Sequence, residues 1–277
     1  MSSSRIGRVV VDGPCPGSVK NAQDVLSLAF DISPLDTKSV DFLITPGGFI
    51  RSDLDIPHSG KTGWKSQHSD IDPFLRIAQR ELSKTLSRSL ISKAARKARF
   101  LTVGIDVWLN GSVSAELVAV YDLVKKSVIQ WTGKSYPVNY QQNTLVHVTN
   151  LRSHLLNAGG ERVLVLGCHD LNVFSPRGAA MRVVGSERDN RCRDLISLVD
   201  TFNPTIILQH PHTTDTPRIW TTAWSAAIKR YPLLKSWASG ICYWNHGQPC
   251  RAELSEVLEK TASCPRPVDV VVSTESC

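Results

Sequence analysis

The sequence of 277 residues contains no long hydrophobic run. No stretch reaches the roughly 18 uninterrupted apolar residues that a membrane-spanning helix requires, and residues 1–5 are polar, without the apolar region of a secretory signal. The seven cysteines are odd in number and show no spacing typical of a zinc ribbon or a disulfide framework. We therefore expect a cytoplasmic protein without a membrane segment, and with neither a metal centre nor a cofactor.

Repeats and flexible linkers are also missing from the sequence. No period typical of a solenoid or a propeller is present, and no Gly/Ser-rich stretch divides the chain. The hydrophobic content of 42% is sufficient for a substantial core. We expect a single domain over residues 1–277, with residues 264–277 forming a C-terminal tail. Its apolar run Val268–Val272 predicts a strand at a sheet edge or a contact with a second subunit.

The positive charge is concentrated in one segment. The net charge is +7, and residues 76–99 carry eight basic side chains against one acid, an excess equal to that of the whole chain. The spacing of apolar residues predicts one amphipathic helix over this segment. Four basic residues recur at every fourth position and share one ridge of that helix: Arg76, Arg80, Lys84 and Arg88. The ridge is either a solvated face or a binding surface for nucleic acid.

Short apolar runs alternate with helical patterns along the chain. The runs that predict buried strands are Val40–Thr45, Phe100–Val107, Leu117–Asp122, Val163–Gly167 and Thr205–Gln209. The helical patterns cover Asn21–Phe30, Asn190–Val199, Ile219–Ala227 and Glu253–Thr261. Residues 51–72 are polar and predict a loop. This alternation favours a layered α/β fold.

Five short motifs follow one another along the chain. They are Leu43–Ile50 (LITPGGFI), Gly133–Pro137 (GKSYP), Val163–Asp170 (VLVLGCHD), Ile206–Pro211 (IILQHP) and Ala223–Ile228 (AWSAAI). In this order and spacing they resemble the nitrilase (carbon–nitrogen hydrolase) family over about residues 6–250. The resemblance implies a four-layer α-β-β-α sandwich that commonly forms a dimer.

The same resemblance implies a catalytic chemistry with one group missing. In the family, a Cys thiolate attacks a nitrile or amide carbon, a Glu transfers protons, and a Lys stabilises the oxyanion. These positions correspond to Cys168, Gly47 and Lys134, so the Glu is absent here. A free thiol has a pKa of about 8.5 and is mostly protonated at neutral pH. Loss of a general base typically costs on the order of 10²–10⁴ in rate.

Other side chains near the predicted strand ends are candidates to replace the Glu or to bind a ligand. Asp106, at the end of a strand, is the best replacement carboxylate, whereas Glu116 is less suitable because it is expected to begin the next strand. Six residues beside the motifs are candidates for ligand contact: Gly47, Phe49, His169, Asp170, His210 and His212.

The histidines leave a further alternative open. The sequence Cys168-His169-Asp170, followed by His210-Pro211-His212, faintly resembles motifs of metallophosphoesterases, in which imidazole and carboxylate ligands hold two divalent metals. The N-terminal half of that pattern is missing. We therefore predict a pseudoenzyme or accessory module that binds a small amide- or nitrile-like ligand, or nucleic acid or a nucleic-acid enzyme. A divergent Cys-dependent amide or nitrile hydrolase is the second prediction, and a metal-dependent phosphoesterase is the third.

Overall fold

The computed structural model describes residues 5–31, 40–138, 141–176, 178 and 183–274. The strands in this part of the chain are β1 (Ile6–Asp12), β2 (Val40–Ile44), β3 (Ile50–Leu54), β4 (Ala98–Leu109), β5 (Val113–Asp122), β6 (Ser127–Gly133), β7 (Leu155–Ala158), β8 (Glu161–Leu166), β9 (Ile206–Gln209), β10 (Ser236–Ser239), β11 (Ile241–Tyr243) and β12 (Val268–Ser273). The α-helices are α1 (Val19–Asp31), α2 (Asp72–Thr85), α3 (Arg88–Ala95), α4 (Glu187–Phe202), α5 (Thr221–Arg230) and α6 (Leu254–Lys260). None of these helices is long and apolar enough to span a membrane.

The strands form two sheets. The larger has the order β11-β1-β2-β4-β5-β6, with β12 beside β1 and β3 beside β4. Its strands β1, β2 and β4 are parallel, whereas β4, β5 and β6 form an antiparallel meander. The smaller sheet has the order β10-β9-β8-β7, in which only β7 runs antiparallel to its neighbour.

The two sheets pack face to face, with helices on both outer faces. Phe42 and Phe100 point inward from the larger sheet, stack with ring centroids 5.0 Å apart, and meet Val163 of β8. The next residues along these strands point outward, because side chains alternate across a sheet. Leu43 packs under α1, α2 and α3, and Leu164 packs under α4 and α5. This arrangement is the predicted four-layer α-β-β-α sandwich.

The sandwich brings several strand ends to one edge. The motif residues follow the ends of β2, β6, β8 and β9, and the carboxyl ends of parallel strands are where α/β folds bind ligands. Gly167 makes the closest approach here: a Cβ at this position would lie 2.7 Å from the backbone nitrogen of Lys134. The absence of a side chain at position 167 therefore lets the ends of β6 and β8 meet.

The prediction of one basic helix over residues 76–99 is wrong. The chain leaves the helical conformation at Leu86 (φ −87°, ψ 75°), and Ser87 begins a second helix as its N-cap, accepting a hydrogen bond from the Leu90 amide at 3.3 Å. Serine is a favoured N-cap because its hydroxyl satisfies a free helix amide. The end of the predicted helix, including Arg99, lies in β4.

The predicted basic ridge is therefore divided between two helices. Arg76, Arg80 and Lys84 lie on α2, whereas Arg88 begins α3. Arg80 and Lys84 form ion pairs with Glu81 at 2.8 and 3.1 Å. Burial raises the pKa of Glu81, but hydrogen bonds from both cations, and their charges, outweigh it and lower the pKa. Nucleic-acid binding by these four residues stays a prediction.

The short strands that the sequence does not predict include β3, β7, β10 and β11. Residues 51–72 were expected to be a loop, but β3 occupies their beginning and pairs in parallel with β4. The strands β10 and β11 have four and three residues, too few for a clear alternating pattern. The tail expectation is met in part, because β12 pairs in parallel with β1 from Gly7 to Asp12. Residues 275–277 of the tail lie outside the described residues.

A buried ion pair connects β12 to β1. The guanidinium of Arg8 is fully buried and lies 2.5 and 2.8 Å from the two carboxylate oxygens of Asp269. It also donates to Thr261 Oγ1 and to the Leu258 carbonyl, both at 2.9 Å. Arg8 therefore joins the first strand of the chain, α6 and the last strand.

We predict that Asp269→Asn lowers the free energy of unfolding by about 3–5 kcal/mol, because it leaves a buried guanidinium without its counter-charge. The exposed pair Glu259–Arg266, with atoms 3.2 Å apart, provides a matched control, and Glu259→Gln is expected to cost no more than about 1 kcal/mol. Urea denaturation measures both changes. Equal effects of the two substitutions would contradict the anchoring role of Arg8.

Candidate active site

Five ionisable side chains come together at the edge where the strand ends meet. They are Asp106 in β4, Glu116 in β5, Lys134 after β6, Cys168 after β8 and His212 after β9. Asp106 and Glu116 are directly opposite each other across the β4–β5 pair, so their side chains lie on the same face of the sheet. The site therefore rests on strands of both sheets.

Lys134 is held by a carboxylate. Its buried Nζ lies 3.0 Å from Oε1 of Glu116, and Gln141 donates to the same oxygen at 2.6 Å. The other oxygen, Oε2, is buried and has no hydrogen-bond partner among the described residues. Burial lowers the pKa of Lys134, but the charges of Glu116, Cys168 and Asp170 and the hydrogen bond to Glu116 together outweigh it and raise the pKa. Lys134 is therefore a fixed cation.

His212 lies between two carboxylates. Its Nε2 is 2.8 and 3.0 Å from the two oxygens of Asp106, and its Nδ1 is 3.6 Å from Oε2 of Glu116. Burial lowers the pKa of His212, but the charges of Asp106, Glu116 and Cys168 outweigh it, so the pKa rises well above its ordinary value. The side chain is 31% exposed, so the ring reaches both the buried groups and solvent.

Cys168 completes the group. Its sulfur, one ring nitrogen of His212 and one carboxylate oxygen of Glu116 lie within 4.8 Å of one another. Burial raises the pKa of the Cys168 thiol, but charge interactions and hydrogen bonds with His169 and His212 outweigh it, so the pKa falls well below its ordinary value. The residue is 7% exposed. The arrangement favours a thiolate beside an imidazolium, which is an activated nucleophile.

His212 occupies the space beside Gly47. A Cβ at position 47 would lie 3.3 Å from Nδ1 and Cε1 of the His212 ring, and 2.6 Å from the His210 carbonyl oxygen. The Gly47 amide also donates to the Pro211 carbonyl at 2.9 Å. The backbone after β9 thus packs directly on Gly47 and leaves no room for a side chain there. The ring from β9 lies where a Glu side chain at position 47 would begin.

Three of the predicted ligand-contact residues have other roles in the structure. Phe49 is fully buried in the core between the larger sheet and its helices, so it does not line the site. His210 pairs through Nδ1 with the Thr45 carbonyl at 2.8 Å, and burial lowers its pKa to about 4. Asp170 accepts hydrogen bonds from the backbone amides of Ser135 and Gly167, and burial raises its pKa to about 7. These contacts position the backbone around the site.

His169 remains beside Cys168. Its half-buried ring lies 5.6 Å from that of Trp220, and it lines a cavity of about 320 Å³ with Arg188 and Arg218. Neither His210 nor Asp170 belongs to a group of three or more possible metal ligands among the described residues, which therefore do not assemble the two-metal site that the histidine motifs suggested. A single metal ion, however, could be held by Glu116, Cys168 and His212.

Glu116 contacts both Lys134 and His212 in the site, although the sequence favours Asp106 as the replacement carboxylate. It was expected to begin a strand, but β5 begins at Val113, so Glu116 lies inside it. The Asn110-Gly111 turn is the sequence signal that could have located Glu116 within the strand. A short turn that pairs Leu109 with Val113 fixes the register of the hairpin and places Glu116 opposite Asp106.

Comparison with solved structures shows where this fold occurs. An amidase from Nesterenkonia sp. matches with a TM-score of 0.51 and 14% identity over 87% of this chain and 76% of that chain. A mutant described as a Nesterenkonia AN1 amidase from the nitrilase superfamily gives a TM-score of 0.51 and 13% identity over 87% and 76%. No protein-family model matches the chain, and no curated protein matches its sequence.

A third match concerns the chemistry of the neighbour itself. It is a mutant of the Nesterenkonia sp. AN1 amidase with the acetamide moiety of fluoroacetamide added covalently at the active site cysteine. Its TM-score is 0.51, with 15% identity over 87% of this chain and 76% of that chain. The chain has the fold of nitrilase-superfamily amidases. At these identities the comparison establishes the fold.

We predict that Gly47→Ala displaces the His212 ring, because the added Cβ meets backbone at 2.6 Å. The free energy of unfolding should fall by about 1–3 kcal/mol, the usual cost of overpacking, and alkylation of Cys168 at neutral pH should slow. Gly47→Glu should act in the same direction rather than restore a base. Denaturation and peptide mass spectrometry measure the two effects. Wild-type stability and labelling in Gly47→Ala would contradict the contact.

We predict that Cys168 is alkylated rapidly at pH 7 and that the alkylation rate falls only at lower pH. A free thiol becomes protonated, and therefore unreactive, as the pH falls below about 8.5. Because the pKa of Cys168 is lowered, its reactive thiolate persists below that pH. His212→Gln removes one of the two histidines whose interactions lower the pKa of the thiol, so the alkylation profile should move to higher pH. The unfolded protein provides the reference profile. A wild-type profile that coincides with this reference would contradict an activated thiolate.

Proposed function

We propose that the protein is a cysteine-dependent hydrolase of simple amides in which His212 replaces the missing Glu as the proton-transfer group. The observation that carries the proposal is the position of the His212 ring. It lies against Gly47, pairs with Asp106 at 2.8 Å, and has a ring nitrogen within 4.8 Å of the Cys168 sulfur. The fold of amidases is consistent with this chemistry.

The first step is attack by the Cys168 thiolate on the amide carbon. The thiolate is present because its proton resides on His212, whose charge Asp106 stabilises. As the carbon becomes tetrahedral, its oxygen gains negative charge. Lys134 supplies a fixed ammonium for that oxygen, and a preorganised cation in a buried site stabilises such charge strongly. The carbon–sulfur bond forms while the carbonyl π bond opens.

The second step expels the amine. The imidazolium of His212 donates its proton to the leaving nitrogen, the carbon–nitrogen bond breaks, and a thioester of Cys168 remains. Neutral His212 then accepts a proton from water, whose oxygen attacks the thioester and releases the acid. Asp106 holds the ring in one tautomer and stabilises its charged form, as a carboxylate does in other nucleophile–histidine sites.

Glu116 has a positioning role in this scheme. It fixes the ammonium of Lys134 through Oε1, and its second oxygen faces His212 at 3.6 Å. Without Glu116, Lys134 would be a buried cation free to move, and burial alone would lower its pKa. Glu116 thereby keeps a positive charge available where the oxyanion forms.

The sequence alone ranks a pseudoenzyme or accessory module above a hydrolase. A pseudoenzyme follows from Gly47 only if nothing else supplies a base. The geometry provides a base from β9, which supports the hydrolase over the pseudoenzyme or accessory module. Binding of nucleic acid through Arg76, Arg80, Lys84 and Arg88, and assembly into a dimer, remain separate proposals about the surface of the protein.

Incubation with fluoroacetamide tests the nucleophile. We predict covalent modification of the Cys168 peptide and hydrolysis of acetamide by the wild type. Cys168→Ala should abolish both. His212→Gln should lower the rate on the order of 10²–10⁴, as loss of a general base or acid does. Lys134→Met should lower it on the order of 10²–10³, as loss of an oxyanion donor does.

Cys192→Ser is the matched control. Cys192 is also a buried cysteine, but it lies on α4 and faces the core between that helix and the smaller sheet. The Cys192→Ser substitution should leave hydrolysis unchanged. An unmodified Cys168 in folded wild-type protein, together with no hydrolysis of acetamide or longer aliphatic amides, would contradict the proposal and favour the pseudoenzyme. Activity that persists in Cys168→Ala would contradict the nucleophile.

A further inference from the structure

We propose that Cys168, His212 and Glu116 also form a binding site for one Zn²⁺ ion, and that zinc inhibits the protein by occupying its thiolate. The three side chains provide a sulfur, an imidazole nitrogen and a carboxylate oxygen within 4.8 Å of one another. This donor set is typical of zinc, which accepts all three ligand types. The binding stands on geometry alone, whereas the inhibition rests on the proposed hydrolase function.

The distance between the nitrogen and oxygen ligands fits a tetrahedral ion, and the sulfur lies within 4.8 Å of both. With Zn–N and Zn–O distances of about 2.0 Å and Zn–S of about 2.3 Å, the ligand atoms lie about 3.3–3.6 Å apart. Nδ1 of His212 and Oε2 of Glu116 are already 3.6 Å apart. Oε2 is buried and lacks a hydrogen-bond partner among the described residues, so a cation there would satisfy it. Three protein ligands leave the fourth position to water.

The groups behind the ligands are arranged as they are around bound zinc. When Nδ1 of a histidine binds the metal, Nε2 usually donates to a carboxylate, which orients the ring and raises its basicity. Asp106 accepts from Nε2 of His212 at 2.8 Å. Glu116 is fixed in turn, because Lys134 and Gln141 both donate to Oε1. These contacts leave Nδ1 of His212 and Oε2 of Glu116 facing each other at 3.6 Å.

The charge of the site also favours a divalent cation. Asp106, Glu116 and the Cys168 thiolate carry three negative charges, and Lys134 carries one positive charge. With His212 neutral, the sum is two negative charges, which Zn²⁺ neutralises. A hard cation such as Mg²⁺ prefers oxygen ligands and is expected to bind poorly at a site that offers sulfur and nitrogen.

Bound zinc would remove the two groups that the proposed reaction needs. Coordination uses the sulfur lone pair that attacks the amide carbon, and it uses the ring nitrogen of His212 that carries the transferred proton. The ion would thus hold the protein inactive until a chelator removes it. No bond in the substrate is made or broken in this inhibited form.

Competition with a chromogenic chelator measures the binding, with Zn²⁺ as the probe and Mg²⁺ as the control. We expect one equivalent of Zn²⁺ per wild-type chain, and a Co²⁺ complex with a thiolate-to-metal charge-transfer band. Cys168→Ser should lose the band and the tight equivalent. Asp106→Asn should weaken binding about 10–100-fold, as loss of a hydrogen bond to a ligating histidine does. Zinc should also protect Cys168 of the unmodified wild type from alkylation.

Cys264→Ser and His246→Gln are matched controls, because both residues are exposed and distant from these ligands in sequence. They should retain binding. Zinc binding that survives Cys168→Ser, or an absence of both binding and protection in wild type, would overturn the site. Hydrolysis that rises on addition of zinc would overturn the inhibition. Zinc binding is measured without substrate, so the two proposals can fail separately. A protein that binds zinc but does not hydrolyse amides would contradict the proposed function and leave the zinc site intact.

Discussion

The hydrogen bond between His212 and Asp106 is the interaction on which the candidate site depends. At 2.8 Å it fixes the ring against Gly47, with Nδ1 turned towards Glu116. The Asp106 charge is the largest of the three charges that oppose burial and raise the pKa of His212, and the ring in turn helps to lower the pKa of the Cys168 thiol. The orientation of the ring, the charge of the sulfur and the fit of a metal ion therefore share one physical cause.

That interaction is produced by the sheet arrangement rather than by a local motif. Asp106 belongs to β4 of the larger sheet, whereas His212 follows β9 of the smaller one. The inward-facing aromatic and branched residues hold the two sheets at contact distance, so the sheet interface sets the distance between carboxylate and imidazole. The ion pair between Arg8 and Asp269 joins β1 to β12 and so fixes the last strand onto the larger sheet.

Much of the layered fold could be predicted from sequence, because buried strands such as Val163–Gly167 are continuous apolar runs bounded by glycine. The order of the motifs was sufficient to place Cys168 and Lys134 at neighbouring strand ends. The role of His212 could not be predicted, because it depends on Gly47 lacking a Cβ across the sheet interface. The break at Leu86 could not be predicted from the spacing of apolar residues, because that spacing continues through it. Only Ser87, the N-cap residue, marks the start of the second helix.

Glu116 faces both cations of the site, Lys134 at 3.0 Å and His212 at 3.6 Å, and Asp106 faces His212 alone of the two. This arrangement supports the proposed replacement of the glutamate by a histidine. Glu116 fixes the Lys134 ammonium in place, where the proposed reaction uses its charge for the oxyanion. Interactions with His169 and His212 lower the pKa of the Cys168 thiol and so stabilise the thiolate. A carboxylate at position 47 would add negative charge beside a sulfur that already faces Glu116. An imidazole adds a proton carrier that is positive when the sulfur is negative, so one group both activates the nucleophile and holds the proton that the leaving amine requires.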